Sequence, residues 1–411
     1  MKEAQAASLQ VLSRLEKAGF QAYWVGGCVR DELLGQEPTD YDVATDASPE
    51  KVQSLFAKTV PTGIGHGTVT VLIHRQPVEV TTFRQETAYE DHRHPGKVQF
   101  VKTLEMDLAR RDFTINAMAR DRRGHLIDPF GGRKDLQSQV VRAVGEAEVR
   151  FQEDALRMVR ALRFCAQLGF RIDEQTKKAL LRQKSLLCHL AVERVTQELE
   201  KMWTTNKPSQ GVRPLWEFGL FPHLPPFSYW EDPVSPPSSS LQEIDRPIGR
   251  WARWALFLHL CGVSTKKSRA CLRSFRLPAR DVENIASVYR LGSDWCLTRE
   301  DVYNGKMLLL SHGVEKLFSA LETAAAIHPW VSEEEKGLRE ALLRWQEEMP
   351  VRHLGELNVN GGKLIEAMGR QGGPWTGQVL DILLKKVALG ELPNETEALL
   401  EEGRRLVQSS S

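Results

Sequence analysis

Asp40 and Asp42 flank a single residue in the run Pro38-Thr39-Asp40-Tyr41-Asp42-Val43. On a strand, positions i and i+2 share a face, so both carboxylates would meet divalent ions held ~3.5–4 Å apart for in-line phosphoryl or nucleotidyl transfer. Hard oxygen donors of this kind suit Mg²⁺. Shortly before them stands Trp24-Val25-Gly26-Gly27-Cys28-Val29-Arg30-Asp31, a strand that runs through a glycine pair into a helix start. Gly27 has no Cβ, so a triphosphate can approach the backbone closely, and a helix start offers free N–H groups to phosphate oxygens. Arg30 adds a fork of donors. Taken singly, the glycines are a turn and the aspartates a solvated strand face. Within one helix of each other they point to nucleotide chemistry.

A second constellation lies further on. Asp154 and Arg157 are three residues apart, one a pure acceptor and the other a pure donor, and the spacing puts them on one helical face. Cytosine and adenine each present an amino donor beside a ring-nitrogen acceptor; uracil and guanine present a carbonyl acceptor beside an N–H donor. An Asp/Arg pair aimed at that edge accepts C and A, and each mismatch leaves polar groups unpaired at a cost of ~1–3 kcal/mol per group. The same two residues also suit an ordinary surface ion pair. Arg160 and Arg163 continue a basic edge, and Arg111 supplies another guanidinium, all matched to triphosphate or primer phosphate oxygens. Asp112 and Asn116 suit either ribose hydroxyls or the cap of a local turn. Glu79 is not assigned as a ligand, and His92 with His94 lacks a third ligand for a metal.

Two kinds of architecture must position these groups. Up to about Val149 the pattern alternates period, with strands expected at Ala22–Val25, Asp40–Ala44, Thr68–Ile73, Val78–Phe83 and Val98–Val101, and a helix from Pro49 to Ala57 capped by Ser48. The charged run from Arg84 to Gly96 lacks apolar periodicity and reads as a loop. Beyond Arg150 the periodicity is helical, in Phe151–Leu168, Asp173–Leu187 and Val192–Met202. A Pro/Ser-rich stretch, Leu224–Ser240, is a candidate boundary. The expected fold is α+β: a head with a mixed β-sheet flanked by helices (1–148), then all-helical neck (149–222), body (223–330) and tail (331–411). With 411 residues, 55 Lys+Arg against 54 Asp+Glu and 41% hydrophobic positions, the composition excludes global disorder and an overall polyanion-binding charge. Local clustering must supply any such preference; Lys266, Lys267, Arg269, Arg273, Arg276 and Arg280 form one patch, suited to an RNA backbone or to plain solvation. Six cysteines without a C-x-x-C pair read as reduced thiols, and neither a signal core nor a membrane span is evident, so a cytoplasmic location is expected.

The motifs together resemble the bacterial tRNA nucleotidyltransferase and poly(A) polymerase family. Gly26-Gly27-x-Val29-Arg30-Asp31 with Asp40-x-Asp42 is similar to its first motif, and Arg110-Arg111-Asp112-Phe113-Thr114-Ile115-Asn116-Ala117 to its second. Asp128-Pro129-Phe130-Gly131-Gly132 resembles the turn into the neck; Glu153-Asp154-x-x-Arg157-x-x-Arg160 resembles the nucleotide-reading helix. The resemblance implies a Mg²⁺-dependent, template-independent enzyme that builds or repairs the 3′-terminal C-C-A of tRNA from CTP and ATP. It also implies neck, body and tail holding the acceptor arm and elbow, and leaves room for a homodimer. Thr62-Gly63-Ile64-x-His66-Gly67 departs from the Gly-basic-basic-Phe pattern of the family's poly(A) polymerases, which favours the tRNA branch. The alternatives are an enzyme adding only C-C or only A, a polyadenylating relative, a silent RNA-binding adaptor, or nucleotidylation of a small molecule.

Overall fold

The computed structural model describes residues 2–89, 95–232, 234 and 240–409. They form two compact units, Met1–Val234 and Ser235–Ser411, divided inside the Pro/Ser-rich stretch.

In the first unit the strands are β1 Ala22–Val25, β2 Asp42–Thr45, β3 Thr59–Gly63, β4 Thr68–Ile73, β5 Gln76–Thr82, β6 Arg84–Tyr89, β7 Pro95–Phe100, β8 Ala119–Arg120, β9 Leu126–Ile127, β10 Val140–Val141 and β11 Arg171–Ile172. Its helices are α1 Lys2–Lys17, α2 Gly27–Leu33, α3 Pro49–Leu55, α4 Leu104–Ala109, α5 Gly132–Gln137, α6 Ala147–Glu153, α7 Leu156–Leu168, α8 Glu174–Gln183, α9 Val192–Trp203 and α10 Pro208–Glu217. Seven strands make one mixed sheet in the order β3-β4-β5-β2-β1-β8-β9, in which only β2 and β5 run parallel. Alternation along the central strands buries both faces. Trp24 and Val43 join one core with Leu12, Leu15, Val69, Val71 and Val80, whereas Val25 and Ala44 join another with Phe83, Leu104 and Leu108.

Several expectations need correction. The second strand starts at Asp42, not Asp40, because β1 ends at Val25 opposite Asp42 and turns away at Gly26, whose φ is 76°. Asp40 therefore precedes the ladder. The run from Arg84 onward is not a loop throughout: β6 and β7 pair antiparallel, Arg84 opposite Phe100 and Thr87 opposite Lys97. Backbone hydrogen bonds hold such a ribbon without apolar alternation, which is why periodicity missed it. Its tip, with His92 and His94, lies outside the described residues. The helix expected over Phe151–Leu168 is two helices, interrupted at Asp154 and Ala155. Asp154 has φ −144° and ψ 104°, and its Oδ1 accepts the N–H of Leu156 at 3.0 Å, so the side chain competes with the helix and restarts it. Ser48 does cap its helix, accepting from Lys51 N, but the helix ends at Leu55.

The second unit is helical in its described residues: α11 Arg250–Leu260, α12 Ser268–Ser274, α13 Ala279–Ser293, α14 Val302–His312, α15 Val314–Ile327, α16 Pro329–Glu348, α17 Gly361–Met368, α18 Pro374–Ala388 and α19 Thr396–Ser409. Leu317, Leu321, Leu338, Leu342 and Trp345, at helical spacing on α15 and α16, are buried together. Trp254 and Phe257 are fully buried, as core residues should be. All six cysteines are free thiols, with Cys28, Cys165 and Cys261 buried.

Candidate active site

One cavity of about 720 Å³ in the first unit gathers every residue singled out for chemistry: Gly27, Arg30, Asp40, Asp42, Arg111, Asp154, Arg157, Arg160 and Arg163. Glu79, Arg110, Asp112, Asn116, Gln167 and Lys201 complete its charged and polar lining, and Phe164 contributes an aromatic wall. That volume suits a nucleotide-sized ligand.

The acidic end is built by the sheet. Asp42 opens β2, and Asp40 lies two residues before it in the preceding turn. The parallel register of Val43 with Val80 brings Glu79 of β5 beside Asp42. Burial and the charges of Asp40 and Glu79 push Asp42 up to about 6, with Arg111 pulling the other way. Carboxylates that repel one another this strongly are ready for a cation. Glu79 was the group that sequence reasoning declined, since a strand glutamate is ordinarily solvated; its position depends on a pairing across 37 residues.

The basic end is held by ion pairs. Gly26, at φ 76°, begins α2 without a capping side chain, and a Cβ there would lie 2.9 Å from Arg111 Nη1. Arg111 is tethered by Nη2 to Asp107 Oδ2 (3.4 Å) and by Nη1 to the Asn116 carbonyl (3.5 Å), while its buried Nε has no partner. Asp107 itself, fully buried, is held below the usual carboxylate range: burial opposes ionisation, but Arg110 and Arg111 outweigh it. Arg30 donates to Asn116 Oδ1 at 2.7 Å and to Asp31 at 2.8 Å. Asp112 accepts from Phe113 N and Asn116 Nδ2 on one oxygen and from Arg160 Nε (2.7 Å) and Nη2 (2.5 Å) on the other. Burial disfavours its charge, yet Arg160 and Asn116 bring its pKa down to about 2. Asp112 and Asn116 thus cap a turn and anchor arginines.

Glu198 of α9, 3% exposed, completes the network. It accepts from Arg163 Nε at 2.5 Å and Lys201 Nζ at 3.1 Å, with Arg160 at 3.9 Å. The guanidinium of Arg163 also lies 3.9 Å over the Phe164 ring, with those of Arg30 and Arg160 at 5.4 and 5.6 Å.

The Asp154/Arg157 pair is brought to the cavity, though not on one continuous helix. Asp154 is gripped by Arg194 of α9, Nη1 to Oδ1 at 3.1 Å and Nη2 to Oδ2 at 2.7 Å. Arg157 donates to Glu153 Oε2 at 2.8 Å and to the Arg110 carbonyl at 3.0 Å. Neither partner was singled out for this role from the sequence. Glu153, four residues before Arg157 across the break, had a local signal; Arg194, forty residues beyond Asp154, had none.

Three family models match the chain in order: the poly A polymerase head domain over residues 22–142, the probable RNA and SrmB-binding site of polymerase A over 169–230, and the putative second domain of tRNA nucleotidyltransferase over 250–402. The CCA-adding enzyme of Geobacillus stearothermophilus is 39% identical over 404 residues, covering 97% of this chain and 96% of that one. The Bacillus subtilis CCA-adding enzyme is 36% identical over 404 residues, covering 98% of each. Among solved structures, Bacillus stearothermophilus CCA-adding enzyme in complex with CTP superposes with a TM-score of 0.83 at 36% identity over the whole of both chains. Thermotoga maritima CCA-adding enzyme complexed with tRNA, at 23% identity and a TM-score of 0.59, covers 97% of this chain and 94% of its own and shares the fold.

Proposed function

The chain belongs to the CCA-adding enzyme family, and we propose that its cavity builds and repairs the 3′-terminal C-C-A of tRNA, without a template, from CTP and ATP. The observation that carries this reading is the meeting of Asp40 and Asp42 with the Asp154/Arg157 pair in one nucleotide-sized cavity. A chain that only bound RNA would have no use for carboxylates gathered where phosphate must lie.

The donor set fits Mg²⁺. Asp42, pushed up to about 6 by burial and its acidic neighbours, is relieved by a bound cation. Among the described residues no group of three His, Cys, Asp or Glu side chains is arranged to hold a metal. Mg²⁺ is commonly bound by one or two carboxylates and completed by water and substrate phosphates. When bound, it would neutralise charge on the triphosphate and activate the primer 3′-hydroxyl. Asp40 and Asp42 would hold that ion. Gly27 lets the triphosphate approach, and Arg30, Arg111, Arg160 and Arg163 neutralise it, Arg111 with its spare Nε donor. Asp154 accepts the amino group of C or A on the second lone pair of Oδ2, beside the bond from Arg194, while Arg157 donates to the ring nitrogen through N–H groups not taken by Glu153 and the Arg110 carbonyl. Pyrophosphate leaves, and the rate comes from positioning and electrostatics, with no covalent enzyme intermediate.

In this reading 1–148 is the catalytic head, 149–222 the neck, and 223–330 and 331–411 the body and tail that hold the acceptor arm and elbow. This reading places the protein in the cytoplasm; sedimentation decides between a monomer at the 46.5 kDa chain mass and a homodimer at twice that mass.

The test uses three tRNA transcripts, ending before C-C-A, after the first C and after C-C, with each nucleotide alone and with CTP and ATP together. Addition of C-C then one A, refusal of UTP and GTP, and arrest by a chelator reversed by Mg²⁺ are expected. A stall at C-C identifies a partial enzyme, and no addition on any end leaves an adaptor.

A further inference from the structure

We propose that Asp107, which does not reach the cavity, is a positioning residue for both ends of the incoming nucleotide, an inference that rests on the roles given above to Arg111 and Arg157. Asp107 belongs to the six-residue helix α4, on the face that carries Leu104 and Leu108 into the core with Val25, Ala44 and Phe83. It is fully buried and absent from the cavity lining. An apolar side chain could pack there instead, and exchanging a buried ion pair for apolar groups of similar volume is often neutral or stabilising. Packing alone therefore does not call for a carboxylate.

Three groups converge on it. Its Oδ1 accepts Arg110 Nε at 2.9 Å and Nη2 at 2.8 Å, together with the backbone N–H of Arg84, the first residue of β6, at 3.3 Å. Its Oδ2 accepts Arg111 Nη2 at 3.4 Å. The bond from Arg84 ties the carboxylate to the sheet, because the preceding residue, Phe83, is buried and donates its N–H to the Thr45 carbonyl of β2 at 2.7 Å. Asp107 passes that fixed position to two arginines, three and four residues further along the chain.

Those arginines lead to opposite ends of the nucleotide. Arg111 lines the cavity with Gly27 and Arg30, where the triphosphate is placed. Arg110 acts through its backbone. It is the C-cap of α4, at the end where helical carbonyls lack a partner within the helix. Its carbonyl accepts Arg157 Nη2 at 3.0 Å, and the Ala109 carbonyl accepts Arg150 Nη1 at 3.3 Å. Arg150 and Arg157 also share Glu153, at 2.7 and 2.8 Å. The end of α4 is thus the seat of the base-reading arginine, and Asp107 holds the side chain of the residue that forms that seat. One buried carboxylate sets the span between the donor for the triphosphate and the donor for the base, and that span is what aligns a nucleotide for attack.

The test compares Asp107→Asn with the parent in adding C to tRNA that lacks C-C-A, with Mg²⁺ present. Asn keeps the shape but turns one acceptor into an N–H donor, so it cannot hold Arg84, Arg110 and Arg111 together. The KM for CTP should rise about tenfold, as for loss of a hydrogen bond to a charged group, and the preference for CTP over UTP, read as a ratio of kcat/KM, should fall about fivefold. Arg111→Gln should raise KM and leave that ratio unchanged. In the Arg111→Gln background, Asp107→Asn should add nothing to KM while still lowering the ratio, because the arm to the phosphates is already cut. A merely structural aspartate would not divide its effects in this way. Leu108→Ala, a cavity in the same helix, should melt lower than the parent yet keep both KM and the ratio.

Unchanged KM and ratio in Asp107→Asn overturn the proposal. So do matching shifts in Leu108→Ala, or a KM effect that multiplies in full with that of Arg111→Gln. If Asp107→Asn does not fold, Asp107→Glu, which keeps the charge but lengthens the reach, carries the same expectations and the same refutation. A parent that adds no nucleotide removes the enzymatic reading; Asp107 is then judged on the dissociation constants of CTP and UTP by calorimetry, where the same two shifts support the proposal and their absence overturns it.

Discussion

Replacing Asp112 by Asn removes the charge that anchors Arg160 while keeping most of the shape. Asn still offers an oxygen to Phe113 N or Arg160, so the substitution isolates the ion pair. The Asp112 side chain is only 10% exposed, and it is bonded twice by Arg160 and once by Asn116, which brings its pKa down to about 2 from an ordinary 3.8. At about 1.4 kcal/mol per unit, the charged form contributes roughly 2–3 kcal/mol to folding at pH 7. The folded pKa is depressed, so this stability is present above the unfolded value of 3.8 and is lost as pH falls through about 2; about half remains at pH 3. In a unit of this size the loss lowers the melting temperature by roughly 5–10 °C. Scanning calorimetry of parent and variant at pH 3 and 7, following the transition of the first unit, measures it. A double-mutant cycle with Arg160→Gln should return most of the loss as coupling. A gap under about 0.5 kcal/mol at pH 7, or one equally large at pH 3, would refute the assignment of the low pKa to this pair.

Replacing Asp40 and Asp42 together by Ala should abolish incorporation of labelled CTP and ATP while leaving tRNA affinity within about twofold by anisotropy; retained incorporation removes the metal assignment. Arg194→Gln frees Asp154 of its two-point grip and should cut the preference for CTP and ATP over UTP and GTP about tenfold, read as ratios of kcat/KM, with an unchanged melting profile in the second unit. Gly305→Ala puts a Cβ 2.1 Å from the Trp345 ring and should destabilise the second unit by about 1–3 kcal/mol in urea titration with nucleotide KM unchanged. Gly26→Ala, at φ 76° and against Arg111, should raise the KM for CTP and ATP alike.

The site was legible in the sequence wherever its signal was local. The strand into Gly26-Gly27, the Asp40-x-Asp42 spacing and the arginines of α7 are patterns within a few residues, and periodicity within that range reports which face is buried. Even the break at Asp154 had a local cause, a side chain that accepts Leu156 N, which periodicity alone does not weigh. What folding decided lies between distant residues. The parallel pairing of β2 with β5 sets Glu79 beside Asp42, Arg160 closes on Asp112 across 48 residues, and Arg194 on Asp154 across 40. Strand register and ion-pair partners of that kind are fixed by the packing of whole elements and the cost of leaving a charge buried alone. No short window of sequence contains either quantity.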